Sequence, residues 1–421
     1  MKGFGCGNGA FLAFVAGSLL SYPAAAQDEL RQLFTDGAFG AQLRYRYEFV
    51  DQDGPLPVRR DAHASTLRGN LSYKTGEYKK FRGFVEGQAV LHVGEDRFND
   101  TVNGQTSYPI VADPDGFEIN QSWLSWSGLP GTEMKLGRQV LNLDNQRFIG
   151  SVDWRQNDQT FDAVLGTYTD ASKKLQLQYG YVWNVNRIFG DDHPLGDLES
   201  ENHILHGSYQ FSGWLKAAAY AYWLDFARVP ANSSRTIGLR ATGQGSITEE
   251  LNLNYEAEYA RQQDYASNPL PYNEDYRHLA VGLAYKGAKA GIGHELLGGD
   301  GTAAFQTPLA TLHKFNGWAD KFLTTPVTGL EDNYATFGYK FGASSELLAR
   351  TELTITYHDF SGDSGGDYGH EWNASASRDF DLPKGVLFDK AVVTLKYADY
   401  TAKDAPYTDT KKAWLQLGVS F

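Results

Sequence analysis

From residue 38 onward the chain alternates apolar and polar residues with a period of two. Residues 38–49 put Leu43, Tyr45, Tyr47 and Phe49 on one face and Gln42, Arg44, Arg46 and Glu48 on the other. Residues 175–186 set Leu175, Leu177, Tyr179, Tyr181, Trp183 and Val185 against Gln176, Gln178, Gly180, Asn184 and Asn186. Residues 251–260 set Leu251, Leu253, Tyr255, Ala257 and Tyr259 against Asn252, Asn254, Glu256 and Glu258. Successive side chains of a strand point to opposite faces, so each segment predicts a strand with one apolar and one polar face. Ten to twelve alternating residues exceed the about five or six of a usual strand. They match the roughly 9–11 that a tilted strand needs to cross a bilayer.

Eighteen such segments can be marked: 38–50, 62–75, 80–94, 118–128, 133–143, 160–168, 175–186, 203–211, 215–226, 235–245, 251–262, 276–285, 288–297, 331–341, 349–360, 368–379, 389–400 and 411–421. The connections after odd-numbered segments are long, and those after even-numbered ones are mostly tight turns, such as Gly76-Glu77, Ser212-Gly213 and Lys286-Gly287. Long loops on one rim, short turns on the other and an even strand count predict an all-β fold. It is a transmembrane antiparallel barrel of the outer-membrane type with about 18 strands, closed so that no edge meets lipid. A soluble propeller would repeat every 40–50 residues, and no such repeat is present. The alternation is weakest in the fourth to sixth segments, where Trp123, Leu124 and Trp126 fall on both faces. The last segment sets Ala413, Leu415, Leu417, Val419 and Phe421 on one face. That ending is similar to the signal by which assembly machinery recognises bacterial outer-membrane barrels.

Composition narrows the class. After residue 26 no apolar run approaches the roughly 18 residues of a membrane helix. With 51 acidic and 38 basic residues the net charge is −13, which argues against a general nucleic-acid binder. Residues 1–26 read as a signal peptide, with Lys2, the apolar stretch 10–20 and a cleavage site after Ala26. Residues 27–37 then form a short periplasmic segment, and 38–421 the barrel, bound for the bacterial outer membrane. The single cysteine, Cys6, lies in the leader, so the mature chain has no disulfide.

Strings that imitate catalytic motifs lack their partners. Gly362-Asp363-Ser364-Gly365-Gly366 looks like a serine-protease nucleophile segment but has the composition of a turn. His294-Glu295-Leu296-Leu297-Gly298 has no second histidine to complete a zinc helix. No enzyme, cofactor or metal site is expected.

The polar faces carry the chemistry. If the apolar faces meet lipid, then Arg44, Arg46, Arg68, Arg82, Lys216, Arg240, Lys340, Arg350 and Lys396 face the lumen. Glu48, Glu86, Glu256, Glu258, Glu295, Asp332, Glu352 and Glu371 face it too. Eighteen strands enclose a lumen too wide for wall side chains to fill, so a water-filled passage is expected. Rings of Arg and Lys in such a passage select anions. Two long connections are unusually apolar. Residues 303–322 predict a short amphipathic helix, with Thr307 as N-cap, Pro308 at its first position, and Leu309, Leu312, Phe315 and Phe322 recurring. Residues 136–162 carry Arg138, Arg147, Arg155 and Asp162. Both are expected to fold into the barrel mouth and narrow it.

The string Gln306-Thr307-Pro308-Leu309-Ala310-Thr311-Leu312-His313-Lys314-Phe315-Asn316-Gly317-Trp318-Ala319-Asp320 closely resembles a marker of the alginate-export outer-membrane family. The series Gly137-Arg138-Gln139, Arg147-Phe148-Ile149-Gly150, Trp154-Arg155-Gln156-Asn157 and Phe161-Asp162 resembles its other marker. The resemblance implies a monomeric eighteen-stranded barrel with inward loops and an arginine-lined lumen through which the founding member exports alginate. This chain departs from that pattern in balance, since its inferred wall carries nearly as many acids as bases. The expected solute path comprises Arg44, Arg46, Arg68, Arg138, Arg147, Arg155, Asp162, Arg240, Glu256, Glu258, His313, Lys340, Arg350 and Glu352. The expected function is a passive channel for an anionic polysaccharide or oligosaccharide such as alginate. The alternative is a small-solute uptake porin for organic acids or aromatics. The expected partners are outer-membrane lipid and lipopolysaccharide, the assembly machinery through Phe421, and the anionic solute.

Overall fold

The computed structural model describes residues 33–54, 61–342 and 348–421; the proposed signal peptide and most of 27–37 lie outside them. The first nine strands are β1 (Ala38–Gln52), β2 (Ala62–Lys74), β3 (Phe81–His92), β4 (Gly116–Trp126), β5 (Thr132–Gln139), β6 (Thr160–Thr169), β7 (Leu175–Asn186), β8 (Asp197–Ser212) and β9 (Leu215–Leu224). The second nine are β10 (Ser234–Ser246), β11 (Leu251–Asp264), β12 (Asn273–Tyr285), β13 (Ala288–Leu297), β14 (Leu330–Lys340), β15 (Thr351–Ser361), β16 (Asp367–Asp381), β17 (Lys390–Ala402) and β18 (Thr410–Ser420). Each pairs antiparallel with its sequence neighbours, and β1 also pairs with β18 from Gln42–Ser420 to Gln52–Thr410, closing the barrel. Closure satisfies every strand's backbone groups within the sheet, as a lipid setting requires.

The period-two pattern decides what each face meets. Leu71, Leu239, Leu279, Ile292, Phe337 and Leu395 lie on the outer face and are exposed. Aromatic pairs gather near both rims: Phe39 with Tyr73 at 4.7 Å and Tyr339 with Phe341 at 4.8 Å on the turn side, Tyr357 with Trp372 at 4.8 Å on the loop side. An apolar belt between aromatic girdles is the exterior that a bilayer selects. The mixed faces near β4 have a local cause. The ladder shifts register between Glu86 and Gly87 and again between Asp162 and Ala163, and a bulge exchanges the faces of the residues beyond it. Leu124 is exposed on the outer face, while Trp123 on the other face stacks on Phe84 at 5.2 Å.

The largest boundary differences from the sequence pattern fall at β5 and β8, and one expected element is missing. β5 stops at Gln139 rather than continuing to 143, because Leu141 and Leu143 leave the wall to be buried inside. β8 starts six residues before 203, continuing the same alternation with Leu198, Ser200 and Asn202 buried. The helix expected within 303–322 is absent, and the segment has only a 3-10 turn at Leu312–Lys314. Its backbone groups are engaged elsewhere: the Phe305 amide donates to Gly298, the Gly150 amide to Leu309 and the Thr311 amide to Gln146. Asn316, Gly317 and Asp320 also have positive φ, which a helix does not allow.

Candidate permeation site

Two of the long loops turn into the barrel, 140–159 after β5 and 298–329 after β13. They are apolar because they build a core within the lumen. Leu141, Leu143, Phe148, Ile149, Phe305, Leu309 and Phe322 are buried against Tyr220, Tyr222, Tyr276, Phe360 and Tyr400 of the wall. Phe148 meets Tyr276 edge-on at 5.3 Å, and Ile149 bridges Leu309 as a short parallel pair joining the loops. These loops therefore occupy much of the loop-side half of the lumen. On the turn side the inward positions open again: in β16, Glu371 and Asn373 are buried, whereas the residues from Ser375 to Phe380 are half-exposed.

Ion pairs fasten the loops to the wall at separate points. Arg147 clasps Glu295 of β13 through two bonds of 2.8 and 3.4 Å, and donates to Asn316 at 3.0 Å. Tyr276 donates to the same carboxylate at 2.7 Å, and Asn316 donates both to Glu295 at 2.6 Å and to Asp332 at 3.2 Å. Arg155 lies between Glu48 at 3.2 Å, Asp320 at 3.4 Å and Asp113 at 3.7 Å. Asp320 is also bound by Lys412 at 2.8 Å and His313 at 2.8 Å. His313 lies flat on Trp154 with ring centres 4.4 Å apart, and Lys396 sits 3.8 Å from the rings of both Trp154 and Trp318. The Glu371 carboxylate accepts the Trp318 amide at 2.5 Å and the Ala319 amide at 2.9 Å.

Enclosure decides the charge states of the loop groups. Burial pushes His313 down to about 3, with Lys396 and Arg155 adding to it and Asp320 opposing. The ring is thus neutral, its Nδ1–H donating to Asp320 and its Nε2 accepting from Lys396 at 2.7 Å. Burial alone would lower Arg147 and Arg155, but Glu295 for the first, and Glu48, Asp113 and Asp320 for the second, outweigh it and keep both charged.

The structure distributes the expected path residues over four settings. Arg44, Arg46 and Arg68 of β1 and β2 point inward and hold loop 140–159. Arg44 bonds Gln156 at 2.9 Å and the carbonyl oxygens of Asp153 and Arg155. Arg46 bonds the Trp154 carbonyl oxygen and Gln416, and Arg68 bonds Asp158 at 2.9 Å. On the opposite wall Arg240 pairs with Glu256 at 2.7 Å and Glu258 at 3.4 Å, and between the two walls, on β5 and β6, Arg138 clasps Asp162 at 2.8 Å. Arg147, Arg155 and His313 are enclosed in the loop core, so they act as fasteners rather than as open ligands. Arg350, Lys340 and Glu352 are elsewhere: Arg350 lies in the turn before β15, bound to Asp379 and Asp381, and is not on a strand. Lys340 and Glu352 pair across β14 and β15 at the same turn-side rim, where Lys289 reaches Glu352 at 3.0 Å.

One basic residue was not legible as a candidate. Arg187 follows β7 in an ordinary loop, with no motif around it. It stacks over Phe189 at 4.7 Å, burial lowers it, and no carboxylate is paired with it among the described residues. It lines a cavity of about 260 Å³ where loop 187–196 meets the two inward loops, together with Arg155, Phe189, His313 and Asp320.

The model of the alginate export family matches residues 36–268. The chain belongs to the alginate export family. The match takes in β1 to β11 and loop 140–159 with its arginines, and it makes the closed barrel an outer-membrane channel. No curated protein matches the sequence significantly. Among solved structures, OccK9 (OpdG) of Pseudomonas aeruginosa is similar with a TM-score of 0.72 at 17% identity, over 92% of this chain and 100% of that one. OccAB2 of Acinetobacter baumannii gives 0.71 at 18%, over 93% and 99%, and OccAB3 of the same organism 0.71 at 14%, over 92% and 100%. At such identities the likeness concerns the fold: this alginate-export barrel shares its architecture with them along nearly its full length.

Proposed function

We propose that the channel passes carboxylate-bearing saccharides, oligouronates being the natural class, as a conduit without catalytic chemistry. The observation that carries this is Arg187 at the loop junction. A half-enclosed guanidinium without a carboxylate partner is the place where an entering carboxylate gains most, because its planar fork offers two parallel hydrogen bonds. The neighbouring Phe189 supplies an apolar surface for a sugar face. Elsewhere the lumen arginines are already engaged, Arg44 by Gln156 and backbone carbonyls and Arg46, Arg68, Arg138 and Arg240 by carboxylates, so contacts along the wall are weak and exchangeable, as passage requires. Cleavage after Ala26 and action as a monomer surrounded by lipid and lipopolysaccharide belong to the same proposal.

A second solute class is favoured by size. A cavity of about 260 Å³ is closer to a small organic acid than to a polymer, and a long chain threads only if loops 140–159 and 298–329 shift. Single channels in planar bilayers separate the two. Millimolar uronate oligomers of increasing length should interrupt the current for longer dwell times, more so than monocarboxylic or aromatic acids. Equal block by small acids and no length dependence would favour the second class. No block by any anion would reject both.

A further inference from the structure

We propose that the extracellular loop 93–115 carries a structural site for a divalent transition-metal ion, zinc being the natural occupant, built by His92, Asp100 and Asp115. One ring nitrogen of His92 and one carboxylate oxygen from each aspartate lie within 4.8 Å of one another. Asp100 is fully buried, and its two oxygens differ. Oδ1 accepts the amides of Val102 at 2.7 Å and Asn103 at 2.6 Å. Oδ2 has no hydrogen-bond partner and faces His92 Nε2 at 3.8 Å. A buried carboxylate oxygen without a donor is costly unless a cation satisfies it.

The imidazole is set up as a ligand. Its Nδ1 meets the Asp96 carboxylate at 2.8 Å, which holds the ring in place, and its Nε2 donates to a carbonyl oxygen, a bond that a metal ion would replace. Nε2 lies 3.0 Å from the carbonyl oxygen of Asp113. Two ligands each about 2.1 Å from one ion stand roughly 3.0–3.4 Å apart, so the Asp113 carbonyl is placed to join as a fourth ligand. An imidazole among oxygens favours a transition ion over calcium or magnesium, which take oxygen ligands. Asp115 is exposed and also lines a cavity of about 240 Å³ with Glu118, Asp191 and Asp192, which gives a cation an acidic path inward. His92, Asp100 and Asp115 are eight and fifteen residues apart, spacings that match neither the zinc-helix nor the calcium-loop motif. The ion would tie the end of β3 to the start of β4 across the longest loop of the first half of the barrel.

The test is zinc titration of the chelator-treated, folded barrel in detergent, with calcium in parallel. One saturable zinc site is expected that calcium at the same concentration does not fill. Asp100→Asn keeps the Oδ1 acceptor for the two amides, and should weaken that site by about tenfold or more. His92→Gln should remove it, while both variants keep their heat-modifiable mobility on gels. Weak zinc binding to other exposed histidines would survive both variants. No saturable zinc site, a site unchanged in both variants, or a site that calcium fills as well as zinc, would overturn the proposal.

Discussion

A guanidinium enclosed by protein is stable only where carboxylates and carbonyls surround it, and the consequences differ sharply between positions. Arg147 is about 1% exposed, and its removal leaves Glu295 buried without a cation. Breaking such a pair costs about 3–5 kcal/mol. Arg147→Ala should therefore release loop 140–159, seen as faster proteolysis within it, while the barrel keeps its heat-modifiable mobility. Arg138 makes the same fork with Asp162 but is 30% exposed, so Arg138→Ala should cost under about 1 kcal/mol. Equal loop protection in the two variants would contradict the assignment of Arg147 as a fastener. His313 adds a pH dependence. Held in place it titrates near 3, against 6.5 when released. Below pH 6.5 the released loop takes up a proton that the held loop refuses, so its hold weakens as pH falls toward 3, by up to about tenfold per unit. Asp320, Lys396, Lys412 and Arg155 are the charges around the ring. Loop proteolysis should rise from pH 7 to pH 4, and His313→Gln should flatten that rise.

At the scale of elements, the inward loop 298–329 depends on one glycine. Gly317 has φ +82°, and a Cβ there would lie 2.4 Å from the Glu371 carboxylate that holds the Trp318 and Ala319 amides. Gly317→Ala should unseat this part of the loop and raise single-channel conductance and noise. Unchanged conductance would show that the loop does not limit the passage. The strands were legible in the sequence because each carries its own evidence: a face that meets lipid is apolar at every second residue, whatever its neighbours do. Loop 298–329 was legible as structured and inward, since Leu309, Phe315 and Phe322 are too apolar for solvent. Its internal form was not, because the partners that replace helical hydrogen bonds, Gln146 and Glu371, lie far away in the chain. Likewise Arg147 and Arg155 could be placed near the lumen, but whether they were open or enclosed depended on Glu295, Glu48 and Asp320, which only the fold brings together. Arg187 had no signal at all. An arginine in a loop becomes distinctive only through the absence of an acid beside it.

For the whole molecule, the architecture separates two tasks. The outer face and the closed ladder make the barrel independent of its contents, and much of the loop-side half of the lumen is packed as a core would be, with apolar residues and paired charges. The net charge of −13 gives no hint of selectivity, since inward acids such as Glu48, Glu256 and Glu295 are spent in pairs. Asp115, Glu118, Asp191 and Asp192 make the neighbouring cavity acidic, so the cationic point at the loop junction is local. If this point, centred on Arg187, governs selectivity, the channel prefers anions. The reversal potential of the bilayer-inserted barrel across a tenfold potassium chloride gradient, for the wild type beside Arg187→Glu, tests it most directly. The wild type should reverse at the sign of chloride preference, and the variant should move toward zero or beyond it. A cation-selective or neutral wild type, or a potential unmoved by the substitution, would show that Arg187 does not set the selectivity.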